Sequence, residues 1–153
     1  MKLAIARESP LQPDNRALIA ALDAHANALY PPSSNHLVDA ETLEAEGVRF
    51  FTARADGVAV GCGGYRRLGP DAEIKRMFVA DAARGLGVGR AILSALESAA
   101  RDEAVAVLRL ETGTLNTEAL GLYRSTGFVE TGPFGSYGPD KLSVFMAKSL
   151  QSG

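Results

Sequence analysis

Cysteine occurs once in this 153-residue sequence, at Cys62, and tryptophan does not occur at all. A single thiol excludes an intramolecular disulfide and a cluster of thiolate metal ligands, so the cytoplasm is the default compartment and no metal is expected. An excess of one charge sign is lacking too: 16 Lys+Arg against 18 Asp+Glu give a formal net charge of -2. A nucleic-acid surface normally shows as a basic excess, so no nucleic acid is expected as partner. No apolar run approaches the ~20 residues that span a bilayer. Arg7 and Glu8 arrive too early for the opening MKLAIARESP to be a signal peptide, and no membrane partner is expected. What is present, 46% apolar and 22% charged residues, is an ordinary globular composition whose length suits one domain over 1–153.

The opening segment reads as a strand. After Pro13, DNRALIAALDAHANALY places Leu18, Leu22 and Leu29 near helical spacing, and Pro31 and Pro32 stop the helix. A short helix is expected at DAETLEAEG. The segment VRFFTARADGVAVGCGGYRRLGPDAEIKRMFV reads as three antiparallel strands, with Asp56-Gly57 as a hairpin turn and LGPDA as the second reversal. A helix then runs from the next glycines to about Arg101, with Ile92, Leu96 and Ala99 on one face. VAVLRLET reads as a buried strand. NTEALGLYRST sets Ala119, Leu122, Tyr123 and Thr126 at helical intervals, with Gly127 as its left-handed stop. Strands near 128–130 and 142–147 close the order βααβββαβαββ.

Chemistry concentrates first in DAARGLGVGRAIL, where Gly85, Gly87 and Gly89 stand between a strand and a helix. Such a junction lets backbone amides approach a phosphate, and the helix N-terminus adds unpaired N–H donors and partial positive charge. The dinucleotide fingerprint would require glycine where Arg90 stands, and the P-loop needs a Gly-Lys-Ser/Thr ending that is absent. Three glycines alone also fit a tight turn with close helix-to-sheet packing.

A second motif bears on the choice. Arg84, Gly87 and Gly89 meet the pattern Gln/Arg-x-x-Gly-x-Gly/Ala, and NTEALGLYRSTGF sets Asn116, Leu122, Tyr123, Gly127 and Phe128 in a second recurrent order. In these two features the sequence resembles the Gcn5-related N-acetyltransferase (GNAT) superfamily. The resemblance implies a single-domain α/β (α+β) fold. Its sheet would be mixed, mostly antiparallel and six- to seven-stranded, splayed between the fourth and fifth strands and flanked by about four helices. It implies acetyl-CoA as acyl donor, with no metal. The diphosphate would rest on Arg84, Gly85, Leu86, Gly87, Val88, Gly89 and Arg90, and the pantetheine arm would bond to the strand at Met77, Phe78 and Val79. Asn116 stands either as a pantetheine contact or as a plain helix N-cap.

An alkyl ammonium of pKa ~10 is only about 0.1% neutral at pH 7, roughly 4 kcal/mol against a nucleophile that needs its lone pair. The resemblance points to Glu73 as base, a residue that also suits a solvated strand end or an ion pair with Lys75; Glu111 is the second carboxylate in range. Tyr123 is the implied acid for the departing thiolate, although its helix face equally suits a core aromatic. Arg66, Arg67, Lys75 and Arg76 gather cations that would suit an acceptor carrying both amine and carboxylate, or form a solvated face. The segments YPPSSNHLVD and GPFGSYGPD are lining candidates, with Asn35, His36, Phe134 and Tyr137 foremost and His36 a conceivable second base. Cys62 reads as a small buried residue, since it has no nearby histidine and the family transfers directly. The expected activity is acetyl transfer to the primary amine of a small molecule. A protein or peptide acetyltransferase and an inactive coenzyme A sensor are the other readings, and a homodimer is frequent in the family.

Overall fold

The computed structural model describes residues 1–31 and 39–150. Its elements follow the expected order: β1 (Leu3–Arg7), α1 (Pro13–Leu29), α2 (Ala40–Ala45), β2 (Arg49–Ala55), β3 (Val58–Leu68), β4 (Asp71–Val79), α3 (Val88–Asp102), β5 (Val107–Gly113), α4 (Thr117–Ser125), β6 (Val129–Thr131) and β7 (Ser143–Ser149). A single 3-10 turn, Asp81–Ala83, leads into the glycine segment. The seven strands form one mixed sheet in the order β1-β2-β3-β4-β5-β7-β6, every pair antiparallel except β4 with β5. No described helix is long and apolar enough to cross a membrane.

Strand alternation divides the core between the two faces of this sheet. Phe51 and Ala53 point toward α3, whose Ile92, Leu93, Leu96 and Ala100 are buried with Leu108, Leu110 and Met146. Phe50 and Cys62 point the other way, to Leu18 and Ile19 of α1 and to Leu43 of α2. On that second face Thr52 donates its hydroxyl to Asn15 Oδ1 at 2.8 Å, which satisfies a fully buried amide at the start of α1.

Two irregularities position the site. The parallel pairing of β4 with β5 covers only Ala72↔Leu108 and Glu73↔Arg109, so the strands part from Ile74 onward. The expected splay between the fourth and fifth strands is therefore present. On the other edge of β4, the register passes from Gly64↔Lys75 to Cys62↔Phe78, which leaves β4 with one residue more than β3. This bulge contains Arg76 at φ 60, a left-handed conformation that costs a residue with a Cβ roughly 1–2 kcal/mol.

Glu103, just past α3, ties the helix to the sheet. Arg49 Nη2 donates to Glu103 Oε1 at 2.7 Å, and the fully buried Tyr65 donates its hydroxyl to the same carboxylate. The bonds from Arg49 foremost, and then from Tyr65, hold the Glu103 carboxyl below its ordinary 4.5 despite partial burial. A depressed folded pKa gives stability that is fully present above the unfolded value and is lost as pH falls through the folded one. Urea midpoints measured against pH should accordingly fall more steeply for wild type than for Glu103→Gln below about pH 4.5, with the variant less stable at pH 7.

Candidate active site

The opening between β4 and β5 is a cavity of about 490 Å³, walled by Met77, Phe78 and Val79 on one side and by Leu115, Asn116 and Tyr123 on the other. Its far end is the glycine segment. Gly85 and Gly87 lie at φ 78 and φ 82, and nothing stands within 4 Å of where a Cβ on either would sit. Left-handed backbone explains why these two are glycine, and both line the cavity. Gly89 answers a different demand, because a Cβ there would meet Leu122 at 2.9 Å, so its absence lets α3 approach α4. The close-packing reading therefore applies at Gly89, while Gly85 and Gly87 are set by their left-handed backbone and border the cavity.

Arg84 is fixed beside these glycines. Its Nε donates to Val79 O at 3.2 Å and Nη2 lies 3.3 Å from Asp81. Val88 and Arg90 also line the cavity, whereas Leu86 is 56% exposed and lies outside its wall. The residues fit a diphosphate with an amide-bearing arm, and Asn116 is the most specific sign. It occupies the N-cap position of α4 without a side-chain capping bond; Nδ2 donates to Thr112 Oγ1 at 3.2 Å, while Oδ1 is buried with no hydrogen-bond partner among the described residues. A buried amide oxygen without a donor is costly, and an arm carrying amide N–H groups would supply one.

A second cavity, about 150 Å³, adjoins the first and shares Leu22, Met77, Asn116, Ala119 and Tyr123 with it. Tyr123 is therefore at the junction. It is 5% exposed, stacks edge-on to Phe128 with centroids 5.7 Å apart, and has no hydrogen-bond partner for its hydroxyl among the described residues. Burial, with the charge of Glu111 adding to it, pushes the phenol well above its ordinary range, so it is a proton donor at neutral pH.

The smaller cavity also gathers Tyr30, Lys75, Arg76, Glu111 and Tyr137. Arg76 is not part of a solvated face: its side chain is 4% exposed, with Nη2 2.6 Å from Asp23 Oδ1 of α1. The ion pair is poorly directed, and Nε, Nη1 and Nη2 all lack a hydrogen-bond partner. Ser143 donates its hydroxyl to Glu111 at 2.7 Å. Glu73 is buried rather than solvated and lines neither cavity. It pairs with Lys75 at 3.2 Å and Arg66 at 3.5 Å and accepts from the Tyr137 hydroxyl at 2.5 Å. Phe134 packs edge-on to Tyr137 behind the cavity wall, centroids 5.2 Å apart. Arg67 turns away, donating to Glu103 O. Asn35 and His36 lie outside the described residues. Cys62 is fully buried, its thiol pushed up to about 12 by burial, and it donates to Arg76 O at 3.3 Å. Such a thiol is no nucleophile at neutral pH.

Tyr30, the first residue of the lining segment YPPSSNHLVD, is brought to the smaller cavity, but sequence reasoning did not single out Leu22, His25 or Leu29 of α1 as lining residues. Leu22, His25 and Leu29 line the larger cavity, and Tyr30 the smaller. Helical spacing groups Leu22 and Leu29 with Leu18 as core, yet Leu29 is 37% exposed. The one available signal was that apolar stripe continuing to the helix end, directly before the prolines.

Comparison with known proteins places this geometry. Residues 16–128 match the Acetyltransferase (GNAT) family. A protein of Azospirillum brasilense named IAA acetyltransferase is 48% identical over 148 residues, covering 95% of this chain and 97% of its own. YsnE of Bacillus subtilis, an uncharacterised N-acetyltransferase, is 31% identical over 88% of this chain and 93% of its own. A solved chain from Klebsiella pneumoniae, 35% identical, superposes with a TM-score of 0.82 over 97% of this chain and 98% of its own.

Since the Tyr123 hydroxyl satisfies no protein group, its removal should leave the fold intact. Thermal or urea unfolding of Tyr123→Phe should fall within about 0.5 kcal/mol of wild type.

Proposed function

Given that the chain belongs to the acetyltransferase (GNAT) family and is an acyltransferase, we propose that it moves the acetyl group of acetyl-CoA directly to the primary amine of a small acceptor that also bears a carboxylate. Residues 1–153 act as one N-acetyltransferase domain in this reading. The observation that carries it is Arg76: a residue of the smaller cavity's lining whose buried guanidinium lies 2.6 Å from Asp23 and makes no directed hydrogen bond among the described residues. Guanidinium meets carboxylate bidentately, and an acceptor carboxylate would supply the directed hydrogen bonds that the ion pair with Asp23 does not. A cavity of about 150 Å³ suits a small molecule more than a peptide segment.

When bound, acetyl-CoA supplies an activated acyl carbon and a thiolate leaving group. The amides around Gly85 and Gly87 and the Arg84 guanidinium hold its diphosphate. The free edge of Met77–Val79 and the Asn116 Oδ1 atom orient its amide-bearing arm toward Tyr123. The unpaired N–H groups of the splayed strand offer donors to a carbonyl oxygen gaining charge. Tyr123, protonated at neutral pH, donates to the leaving sulfur. Glu111, on the cavity wall and bonded to Ser143, orients the acceptor ammonium.

Thiol release measured with acetyl-CoA across amino acids, their decarboxylated analogues, polyamines and peptides tests the reading. Amines with a carboxylate should be preferred, and Arg76→Gln should raise KM for them about tenfold or more while leaving their decarboxylated analogues unaffected. Turnover on peptides or polyamines alone would overturn the carboxylate assignment, and no turnover on any amine would favour a coenzyme A sensor. Separately, Tyr123→Phe should lower kcat by about 100-fold or more, with the acetyl-CoA dissociation constant unchanged by calorimetry.

A further inference from the structure

The acceptor ammonium must lose a proton before its nitrogen can attack, and the roles assigned above leave that proton without a destination. Glu73 is a carboxylate of 1% exposure that lines neither cavity, so it cannot meet the amine itself. Tyr137 can, since it lines the smaller cavity and donates its hydroxyl to Glu73 Oε2 at 2.5 Å. We propose that the Tyr137 hydroxyl takes the proton from the acceptor ammonium as it passes its own to Glu73, making a walled-off carboxylate the proton sink of the reaction. This inference rests on the small-amine reading of the same cavity.

The surroundings fit that task. Lys75 donates to the Tyr137 oxygen at 3.3 Å and pairs with Glu73 at 3.2 Å, and Arg66 from β3 lies 3.5 Å from the carboxylate. These cations keep a buried carboxylate from standing uncompensated. From β5, Glu111 faces the same cavity, and Arg109 pairs with Asp71 at 3.0 Å while lying over the Phe134 ring. Asp140, in the loop that carries Tyr137, caps Leu142. Burial first, then the bond to Glu73, pushes the Tyr137 phenol above its ordinary range, so the proton rests on oxygen, directed at the carboxylate. The ring is held edge-on by Phe134 and Phe145, centroids 5.2 and 5.5 Å away.

The proton balance closes. One ammonium proton passes to Tyr137 while the phenolic proton moves to Glu73, and the freed lone pair forms the N–C bond as the C–S bond breaks. Tyr123 protonates the sulfur and is restored by the second proton leaving nitrogen. Glu73 returns its proton to solvent, so one proton is released per turnover. No oxidant, reductant or further reactant is needed.

The test compares wild type, Tyr137→Phe, Glu73→Gln and the double variant over pH 6–10 on an active amine, with saturating acetyl-CoA. Wild-type kcat/KM should level off near neutrality. Tyr137→Phe should lose about 100-fold or more at pH 7 and recover about tenfold per pH unit toward the amine's ordinary pKa of ~10, because only free amine then reacts. Glu73→Gln should lose as much and the double variant no more, as expected of groups acting as a unit. Acetyl-CoA affinity should stay unchanged in Tyr137→Phe, which keeps the ring contacts and carries the test alone if Glu73→Gln fails to fold; its melting temperature should fall, because the buried Glu73 carboxylate loses a donor. Activity of Tyr137→Phe within threefold of wild type, with the same pH profile, overturns the relay and leaves the acetyltransferase reading standing. A loss accompanied by weaker acetyl-CoA binding, or by a flat pH profile in place of the recovery toward pH 10, shows a structural role and also overturns it. Wild-type inactivity on every amine overturns both readings.

Discussion

Two parallel strands that pair over only Ala72↔Leu108 and Glu73↔Arg109 open the cavity on which the proposed site depends. Ladder hydrogen bonds between β4 and β5 would otherwise satisfy the backbone of Met77–Val79, and a sheet interior has no room for a ligand. Once the strands part, their edges become the walls of a cleft, and α3 and α4 deliver a glycine segment and Tyr123 to it. Strong antiparallel neighbours hold the two halves: β3 continues along β4 as far as Val79, and β7 pairs with β5 from Val107 to Gly113. The gap is therefore a feature of a rigid sheet and not a loose edge.

The bulge in β4 has a comparable standing on the acceptor side. A regular strand would send alternate residues to opposite faces; the extra residue breaks that alternation and turns the Arg76 side chain toward α1 and the smaller cavity. Left-handed backbone and a poorly paired buried guanidinium both oppose stability. Sites that carry such costs together are commonly sites of binding. Glu73 and Lys75, two residues apart before the bulge, instead share one face and form with Arg66 and Tyr137 a closed polar group. One strand thus places a buried cation, paired with Asp23, on one side and a neutralised carboxylate on the other.

The order of elements was legible in the residues because it depends on local signals. Pro31 and Pro32 end a helix, Asp56-Gly57 turns a hairpin, and Gly127 at φ 101 stops α4, as the sequence implies. Strand limits shifted by one or two residues, as at β7, which runs to Ser149 because pairing with β5 continues there. The positions of the glycine segment before α3 and of Asn116 and Tyr123 at the start and on the inner face of α4 were legible too, from turn signals and helical spacing. Less legible was α1. An apolar stripe has the same 3.6-residue period whether it covers a core or a cavity, and nothing local tells Leu18 from Leu22.

By itself the sequence determined the element order, the glycine turn at 84–90 and the placement of Tyr123 on an inward helix face, all of which follow from backbone geometry within a few residues. Only the tertiary structure decided that Arg76 faces a cavity while Arg67 does not, that Glu73 is sealed behind Tyr137, and that Tyr30 and Leu22 complete the walls. Those outcomes depend on a bulge and on the approach of segments more than sixty residues apart, such as Glu73 and Tyr137, for which charge and periodicity along the chain contain no signal.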